Sequence, residues 1–428
     1  MQAGQAHTSS YYAATRNDDT AYPPLEGDVD TDVCVIGGGF TGVSTALTLA
    51  ERGYRVVLLE QNLISWGASG RNGGQVIGGM SGEKRLSKHW RGEKDEFMFA
   101  LGYRGHALIE ERIEKYAIDC DYKRGYMDVA VNKGHIADLD EWYEDLCEQG
   151  MAEHLRRVSA EELPSILGTE CYRGGLINNR NGHLHPLNLC LGEARAAAGL
   201  GASIHENSEV LDIRHGSRPQ VLCAGGSVMA DFVVIAGNAY HRLEQHKLGG
   251  LAFPAGSYIL ATEPLSEDEA AELNPLDLAV CDMNNVLDYF RLSADRRMLF
   301  GGRCNYSGRE PRDVSANMLP RLHRIYPQLE GKRIDYAWGG MMAIVVNRVP
   351  LLGRTAPNVI YSMGYSGHGV NMTHACGEIM ADAVAGTLES LDFFADVPHR
   401  AIPFGQWFGG QAVAAGMLYY RALDLLQR

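Results

Sequence analysis

The chain has 428 residues, 45% of them hydrophobic and 21% charged, which suits two globular domains, and its formal net charge is −14. This acidity disfavours a nucleic-acid partner and would favour a cationic substrate, although the plainer explanation is solubility. Because the N-terminus is polar, no long apolar run occurs and the nine cysteines are scattered, we expect no secretory signal, no membrane span, no disulfide framework and a cytoplasmic location.

The first predicted elements, between residues 32 and 60, are a strand, a glycine turn, a helix and a second strand. The apolar first strand runs into Gly37, Gly39 and Gly42, which have the spacing G-x-G-x-x-G, and Glu60 ends the second strand. These glycines let the backbone approach a pyrophosphate, the helix N-terminus attracts the anion, and the acid binds ribose hydroxyls. The predicted dinucleotide-binding residues are Gly37, Gly39, Phe40, Thr41, Gly42, Glu60 and Gln61.

A polar loop follows where a nicotinamide-binding domain would have a third apolar strand. Residues 65–75 are rich in glycine, serine and amide side chains and contain Arg71. Such a loop offers the backbone N–H groups and the guanidinium that a diphosphate and a flavin ring need, although a solvated surface loop is the alternative. We therefore favour FAD over NAD, with contacts from Ala68, Ser69, Gly70, Arg71, Asn72, Gly73, Gly74 and Gln75.

Three later segments are further candidates for the same cofactor site. One is the strand around Val210, and another is the apolar strand 231–235, which ends in a turn of small residues. The third is a strand over 359–363 that leads through a glycine turn into a helix N-terminus, a place suited to the electron-rich edge of a reduced flavin. The candidates are Val210, Gly237, Asn238, Gly364, Ser366, Gly367, His368, Gly369 and Val370.

Seven segments along nearly the whole chain carry a family resemblance: 7–14, 67–75, 118–122, 182–189, 236–240, 262–266 and 364–370. In these segments the chain resembles the FAD-dependent amine and amino-acid oxidases, a superfamily that includes glycine, sarcosine and D-amino-acid oxidases. Ser-Tyr-Tyr-Ala-Ala in the first segment and Gly-His-x-His-Pro-Leu-Asn-Leu in the fourth are the most discriminating. The glycine motifs are shared more widely.

The resemblance implies an α/β fold with a Rossmann-like FAD-binding domain and a discontinuous α+β substrate domain built on an antiparallel sheet. The expected divisions are an arm over 1–27, an FAD-binding domain over 28–105, 185–245 and 335–400, a substrate domain over 106–184 and 246–334, and a helical segment over 401–428. Predicted helices cover 40–52, 95–116, 159–166, 371–385 and 412–426. Predicted strands cover 32–36, 55–59, 126–131, 209–213, 231–235, 254–262, 287–292, 298–302 and 359–363.

The resemblance also implies oxidation of a primary amine, gamma-glutamylputrescine or a related polyamine, by a hydride equivalent passed to flavin N5. The products would be an aldehyde, ammonia and hydrogen peroxide, with O2 as second substrate. Two alternatives stay open, a dehydrogenase that passes electrons to a carrier and a non-catalytic flavin-binding regulator. The oligomeric state is not predicted.

Few side chains need to take part in such chemistry, because the cofactor carries it. His368 is the catalytic candidate, with an inert turn residue as an equal alternative. Aromatic walls suit an alkylamine, so we expect one or two of four aromatic residues to line the substrate site, and Asn371 stands where sarcosine-type relatives carry a basic residue that grips an α-carboxylate. The substrate candidates are Tyr258, Tyr289, Tyr306, Trp338 and Asn371.

Two further expectations concern covalent bonds and metals. His183 and His185 have a spacing that could bind a metal, but no matching ligand cluster is evident, so we expect structural hydrogen bonds and no metal. The resemblance implies a non-covalent flavin, because relatives that tether it carry a histidine or a cysteine at places where residues 66–75 contain no histidine and residues 337–354 contain no cysteine. We expect Cys376 to be a packed apolar residue.

Overall fold

The computed structural model describes residues 4–305 and 313–402. Its α-helices are α1 (Tyr11–Ala14), α2 (Phe40–Glu51), α3 (Glu83–Trp90), α4 (Asp95–Tyr116), α5 (Lys133–Glu148), α6 (Leu163–Leu167), α7 (Pro186–Gly199), α8 (Gln245–Leu248), α9 (Glu267–Leu273), α10 (Val314–Ile325), α11 (Gly369–Val384) and α12 (Glu389–Ala395). Short 3-10 turns cover Ala68–Gly70, Ala152–His154 and Pro327–Leu329.

The strands of the described ranges form two large sheets and one small sheet. They are β1 (Gly27–Ile36), β2 (Val56–Leu59), β3 (Gln75–Val76), β4 (Lys123–Arg124), β5 (Tyr126–Val129), β6 (Leu155–Ser159), β7 (Gly174–Asn178), β8 (Gly182–His183), β9 (Ser203–His205), β10 (Val210–Arg214), β11 (Gln220–Cys223), β12 (Gly226–Ile235), β13 (Ala252–Thr262), β14 (Ala279–Asp282), β15 (Asp288–Leu292), β16 (Met298–Asn305), β17 (Ile334–Val345), β18 (Leu351–Ala356) and β19 (Val359–Met363).

The first large sheet is the predicted Rossmann-like sheet. Its parallel strands lie in the order β9-β2-β1-β12-β19, and β18 pairs antiparallel with β19. Residues 33–36 and 56–59 are buried because α2, α4, α7 and α11 cover one face of the sheet and a second apolar cluster covers the other. The carboxyl ends of β1, β2, β12 and β19 therefore meet at one edge, where the glycine turns follow.

The second large sheet has eight strands in the order β17-β13-β16-β15-β14-β5-β7-β6. Neighbouring strands are antiparallel except β14 and β5, which are parallel. Its outer face packs on a core of its own, which includes Met127, Phe290 and Phe300 and receives α6, α9 and α10. The inner face is turned toward the first sheet. This arrangement confirms the expected two-part α/β architecture.

The N-terminal arm docks at the junction of the two sheets through α1. The Tyr12 ring packs edge-on against Trp338 of β17 with 5.3 Å between centroids and against His185 with 4.9 Å. The Tyr12 hydroxyl also accepts a hydrogen bond from Arg291 of β15 at 3.2 Å. Tyr12 is fully buried, so this arm is part of the core.

Several predicted boundaries are wrong. The helix expected over 159–166 begins only at Leu163, because Ser159 ends β6, and Glu162 precedes the helix without a side-chain cap. Residues 335–345, assigned to the FAD-binding domain, form β17 of the second sheet. The expected division at 105/106 falls inside the single helix α4.

Some predictions fall outside the described residues, namely those on Tyr306 and on the helix over 412–426. Among the helices that the structure describes, none combines the length and the apolar character needed to cross a bilayer.

Candidate active site

A cavity of about 1610 Å³ lies between the inner face of the second sheet and the carboxyl edge of the first. This volume exceeds the roughly 300–1,000 Å³ of most small-molecule pockets, so it can hold a dinucleotide and a second molecule. Predicted cofactor residues line it from all five sequence regions: Gly37, Gly39, Phe40, Thr41, Glu60, Gln61, Ala68, Ser69, Arg71, Asn72, Gly73, Gln75, Val210, Gly237, Asn238, Ser366, Gly367, His368, Gly369 and Val370. Gly42, Gly70, Gly74 and Gly364 lie behind this lining.

The first glycine turn has no room for side chains. Gly37 has a φ of +111°, and a Cβ there would lie 2.8 Å from the carbonyl oxygen of Ala236 at the end of β12. A Cβ on Gly42 would overlap the carbonyl oxygen of Gly37. Gly39 precedes α2 without a side-chain cap. The turn thus holds the backbone and the start of α2 close together beside the cavity, as anion binding at a helix N-terminus requires.

Glu60 is fixed by the backbone at the end of β2. Its carboxylate accepts hydrogen bonds from the N–H groups of Gly38 at 2.7 Å and Asn62 at 2.8 Å. Burial raises the pKa of this carboxyl, while the two N–H groups oppose the rise. Since Glu60 lines the cavity one strand away from the glycine turn, it is placed to accept hydrogen bonds from a ribose.

The loop over 65–75 is ordered by its own polar side chains. Ser69 Oγ accepts from the Phe40 N–H at 2.9 Å, and Asn72 donates to the carbonyls of Ala68 and Ser69 and accepts from the Gly74 N–H. The Arg71 guanidinium donates to the Trp66 carbonyl at 2.7 Å and lies 4.2 Å from the Trp66 ring centroid. These bonds tie the loop to the start of α2.

The C-terminal glycine turn is joined to the end of β12. Asn238 has a φ of +47°, and its side-chain oxygen accepts from the Gly364 N–H at 3.1 Å. Ser366 accepts from the Val345 N–H at 3.2 Å, which fixes the turn to β17. His368 precedes α11, and its Nε2 donates to the Gly78 carbonyl at 3.1 Å. Burial lowers the pKa of His368, so the imidazole is neutral.

Tyr365 links the two glycine turns, and the sequence analysis missed it. Its hydroxyl is 2.7 Å from Thr41 Oγ1 and 2.7 Å from Ser362 Oγ. Thr41 belongs to the first turn of α2, and Tyr365 precedes α11. The tyrosine between Gly364 and Ser366 was visible in the sequence, but its partner Thr41 lies 324 positions away and only the fold brings the two together.

The residues of this site fit FAD. The turn at Gly37–Gly42 holds its backbone at the cavity edge without side chains, Glu60 lines the cavity beside this turn, and the cavity extends to His368. Uncapped backbone at the start of α2, a polar loop with an arginine and a second glycine turn are the donor set that a dinucleotide and an isoalloxazine require.

The alternation of the second sheet decides which predicted substrate residues reach the cavity. Tyr289 of β15 points inward, and a Cβ on Gly73 would lie 2.6 Å from its ring. Tyr258 of β13 points to the outer core with Phe290 and Phe300, while its neighbour Ser257 lines the cavity. Side chains on a strand alternate between faces, so one position separates the two outcomes.

Trp338 and Asn371 are not brought to the cavity lining. The Trp338 indole N–H donates to the Arg71 carbonyl at 3.1 Å, so this residue supports the cofactor loop from behind. Asn371 is buried between α11 and α4, where its amide donates to the Gly102 carbonyl. The expectation that Asn371 faces the substrate therefore fails, because the first turn of α11 directs this side chain at α4.

Sequence reasoning missed much of the cavity wall. The inner face of the second sheet contributes Tyr126 and Asp128 from β5 and Cys281 from β14, and α4 contributes Tyr103. Period-2 alternation from Tyr126 gives Asp128 the same face, but nothing local showed which face was inward.

His183 and His185 are both engaged in hydrogen bonds. His183 Nε2 donates to the Asp277 carbonyl at 2.8 Å, and His185 Nδ1 accepts from the Asn188 N–H at 3.1 Å at the start of α7. Burial lowers the pKa of His183 to about 4 and that of His185 to about 3. Both act as neutral structural residues, as expected.

Comparison with known proteins gives consistent matches. The family model described as FAD dependent oxidoreductase matches residues 32–383. The chain is 40% identical to the gamma-glutamylputrescine oxidoreductase of Escherichia coli (strain K12), over 98% of this chain and 99% of that protein. It is 38% identical to a probable oxidoreductase, OrdL, of Haemophilus influenzae, over 99% and 98% of the two chains.

The fold is also found among solved structures. Glycine oxidase from Geobacillus kaustophilus superimposes with a TM-score of 0.73 at 22% identity, covering 88% of this chain and all of that chain. L-Proline dehydrogenase from P.horikoshii superimposes with a TM-score of 0.70 at 21% identity, covering 85% and 94% of the two chains.

Proposed function

Because this chain belongs to the FAD dependent oxidoreductase family, we propose that it oxidises a primary amine, gamma-glutamylputrescine or a close polyamine relative, with O2 as electron acceptor. The products are an aldehyde, ammonia and hydrogen peroxide. The substrate rests on the 40% identity with the E. coli enzyme over nearly the whole of both chains. The scattered thiols support a cytoplasmic location for this reaction.

The observation that carries the proposal is the continuation of the cavity beyond the FAD-binding residues. Beside Gln75 and His368, the cavity lining includes Tyr103, Tyr126, Tyr289 and Met342. Aromatic rings and a thioether bind an alkyl chain by contact and an ammonium group by cation–π attraction. A long amine suits this wall.

FAD, which the two glycine turns and the loop over 65–75 would hold, would supply the electron acceptor for oxidation of the amine. The residues of the chain bind and orient the substrate, and they exclude water. Tyr289 covers Gly73 of the cofactor loop, and Met342 lies beside Gly367, where a Cβ would be 3.4 Å from its sulfur. His368, neutral and bonded to Gly78, holds the turn before α11.

An anaerobic reduction experiment tests the reaction. The purified yellow holoenzyme is mixed with a panel of amines without oxygen, the flavin absorbance is followed, and peroxide is assayed after air is admitted. We expect bleaching by gamma-glutamylputrescine and one peroxide per reduced flavin. Bleaching without peroxide, with rapid reduction of an added dye, would support the dehydrogenase instead. No bleaching by any amine would contradict the proposal.

We also predict selectivity for long amines over glycine, sarcosine and D-alanine. The reason is that Tyr103, Tyr126, Tyr289 and Met342 line the cavity and can contact an alkyl chain, whereas Asn371 faces α4 and is not part of the lining. Values of kcat/KM for the four substrates give the ratio, expected to exceed about 100-fold because two or more desolvated contacts are lost with the short chain. A preference for any of the three small α-amino acids would count decisively against gamma-glutamylputrescine.

A further inference from the structure

Asp128 is a carboxylate that the second sheet presents to the cavity. It lies on β5, opposite Leu176 of β7 and Cys281 of β14, and these neighbours line the same cavity. The Tyr126 hydroxyl, two residues earlier on the same face, donates to Asp128 Oδ1 at 2.9 Å. One carboxylate oxygen is thus fixed by a tyrosine.

The neighbours that flank Asp128 in the sheet are uncharged. Leu176 and Cys281 flank it in the sheet, and Tyr103 and Asn178 contact each other nearby, with 3.3 Å between the amide nitrogen and the hydroxyl. Within the described parts of the chain, no lysine or arginine forms an ion pair with Asp128, and burial raises its pKa to about 7. A half-buried carboxyl without a cation is costly for a folded protein to keep.

Asp128 is connected in space to the flavin side of the cavity. Cys281, its partner on β14, pairs with Tyr289 of β15, whose ring covers Gly73 of the cofactor loop. Neighbouring strands lie about 4.8 Å apart, so Asp128 is roughly 10 Å along the sheet from Tyr289. This spacing is within the length of a four-carbon amine and its head group.

We propose that Asp128, with Tyr103 and Tyr126 beside it, forms a pocket that binds an ammonium group of the substrate and so selects alkylamines, while Tyr289 lines the cavity between this pocket and the cofactor loop. The carboxylate supplies the counter-charge, and the aromatic rings supply faces for cation–π contact. The pocket gives the proposed amine substrate its recognition element, and in that sense the inference rests on the proposed function.

Binding of amines to reduced holoenzyme tests the pocket without turnover. With the flavin already reduced and oxygen absent, bound amine cannot be consumed, and calorimetry gives the dissociation constants of putrescine, butylamine and the neutral 1-butanol. Asp128→Asn keeps the shape and removes the charge. The matched control is Asp396→Asn. Asp396 is exposed at the C-terminal end of α12, outside the cavity, and the substitution removes one charge there.

We expect Asp128→Asn to weaken putrescine and butylamine about 10- to 100-fold, as for loss of one partner of a desolvated charge pair, and to leave 1-butanol unchanged. Asp396→Asn changes each constant less than twofold. Tyr126→Phe, which keeps the acid, loses less affinity than Asp128→Asn. An unchanged flavin spectrum and FAD content show that the variants fold.

Equal amine affinities in wild type and Asp128→Asn would overturn the pocket, as would equal losses in Asp128→Asn and Asp396→Asn or equal losses for amines and 1-butanol. The proposed function fails by a different result. If the wild type binds putrescine through Asp128 but no amine bleaches its oxidised flavin, the pocket stands and amine oxidation does not.

Discussion

At Gly39 the space for a side chain is already taken, because a Cβ there would lie 2.9 Å from Ser69 Oγ. Gly39→Val would displace Ser69, break its bond with the Phe40 N–H and fill the approach to the pyrophosphate. We predict that this variant purifies without FAD. Gly199→Val, at the end of α7 with open space around it, is the control and keeps its flavin. A Gly39→Val protein that purifies with a full complement of FAD would contradict the assignment of this turn to the pyrophosphate.

The neutral state of His368 has a measurable consequence. Because burial lowers the pKa of His368 below its ordinary value of 6.5, this imidazole does not titrate between pH 6.5 and pH 9. We predict that His368→Gln, which keeps a donor for the Gly78 carbonyl, lowers kcat less than about tenfold and leaves the shape of the pH profile unchanged in that window. His368→Ala, which lacks the donor, loses more. A limb of the wild-type profile that vanishes in His368→Gln would show that the imidazole titrates during turnover.

Among the elements, the contact of α4 with α11 sets the position of the second glycine turn. A Cβ on Gly105 would overlap the backbone oxygen and the side chain of Asn371 in the first turn of α11. Gly105→Ala should therefore push the helices apart and destabilise the protein by about 1–3 kcal/mol, the range for overpacking. Denaturant unfolding measures the loss, and Gly199→Ala, with open space around it, is the control. Equal stability of both variants would show that α4 and α11 can move apart without a measurable loss of free energy of unfolding.

The elements also show where sequence reasoning succeeded. The strand over 359–363 and the helix over 95–116 were predicted with the bounds that the structure has, since a short apolar run and a long helical pattern are local signals. The helix before Leu167 was placed too early because Ser159 and Glu162 imitate a capping box, and one of its bonds, from the Ser159 N–H to Glu162, does form at 2.9 Å. The pairing of β6 with β7 includes Ser159 and keeps this residue in the strand, despite the local capping signal.

For the whole molecule, the sequence predicted the cofactor half of the cavity better than the substrate half. The FAD-binding turns are contiguous motifs whose spacing carries the chemistry, and most of their residues line the cavity. The substrate wall comes from single positions on strands far apart in the chain, so Tyr258 was chosen where Ser257 faces inward, and Asp128 was missed. Only the pairing of the strands determines which face meets the cofactor.

We predict that the flavin is released when the protein is precipitated with acid. The cysteine among the cavity-lining residues of the described chain, Cys281, is buried beside Tyr126, and Cys376 is packed in α11, where burial raises the pKa of its thiol to about 12. His368 donates its Nε2 proton to Gly78. The yellow colour should therefore remain in the supernatant. Colour in the pellet, with a flavin mass on one peptide, would contradict a non-covalent site.

Acid should destabilise the molecule through its buried neutral histidines. Burial lowers the pKa of His106 to about 4, so below pH 6.5 the unfolded chain binds a proton that the folded chain does not, and the free energy of unfolding falls. His106 contributes up to about 2 kcal/mol of this loss between pH 7 and pH 5. We predict a smaller loss over that range in His106→Gln and an unchanged loss in His246→Gln, an exposed control. Parallel pH dependences in all three proteins would exclude this role for His106.

Within residues 4–305 and 313–402, the chain passes between the two large sheets four times, between β2 and β5, β7 and β9, β12 and β13, and β17 and β18. A protease that cuts one connection leaves three others intact, so the nicked enzyme should migrate as one particle and keep its flavin. Its halves would separate only in denaturant. Fragments made by limited digestion should therefore stay bound to each other in the native protein. A stable band on a denaturing gel does not mark an independently folding domain.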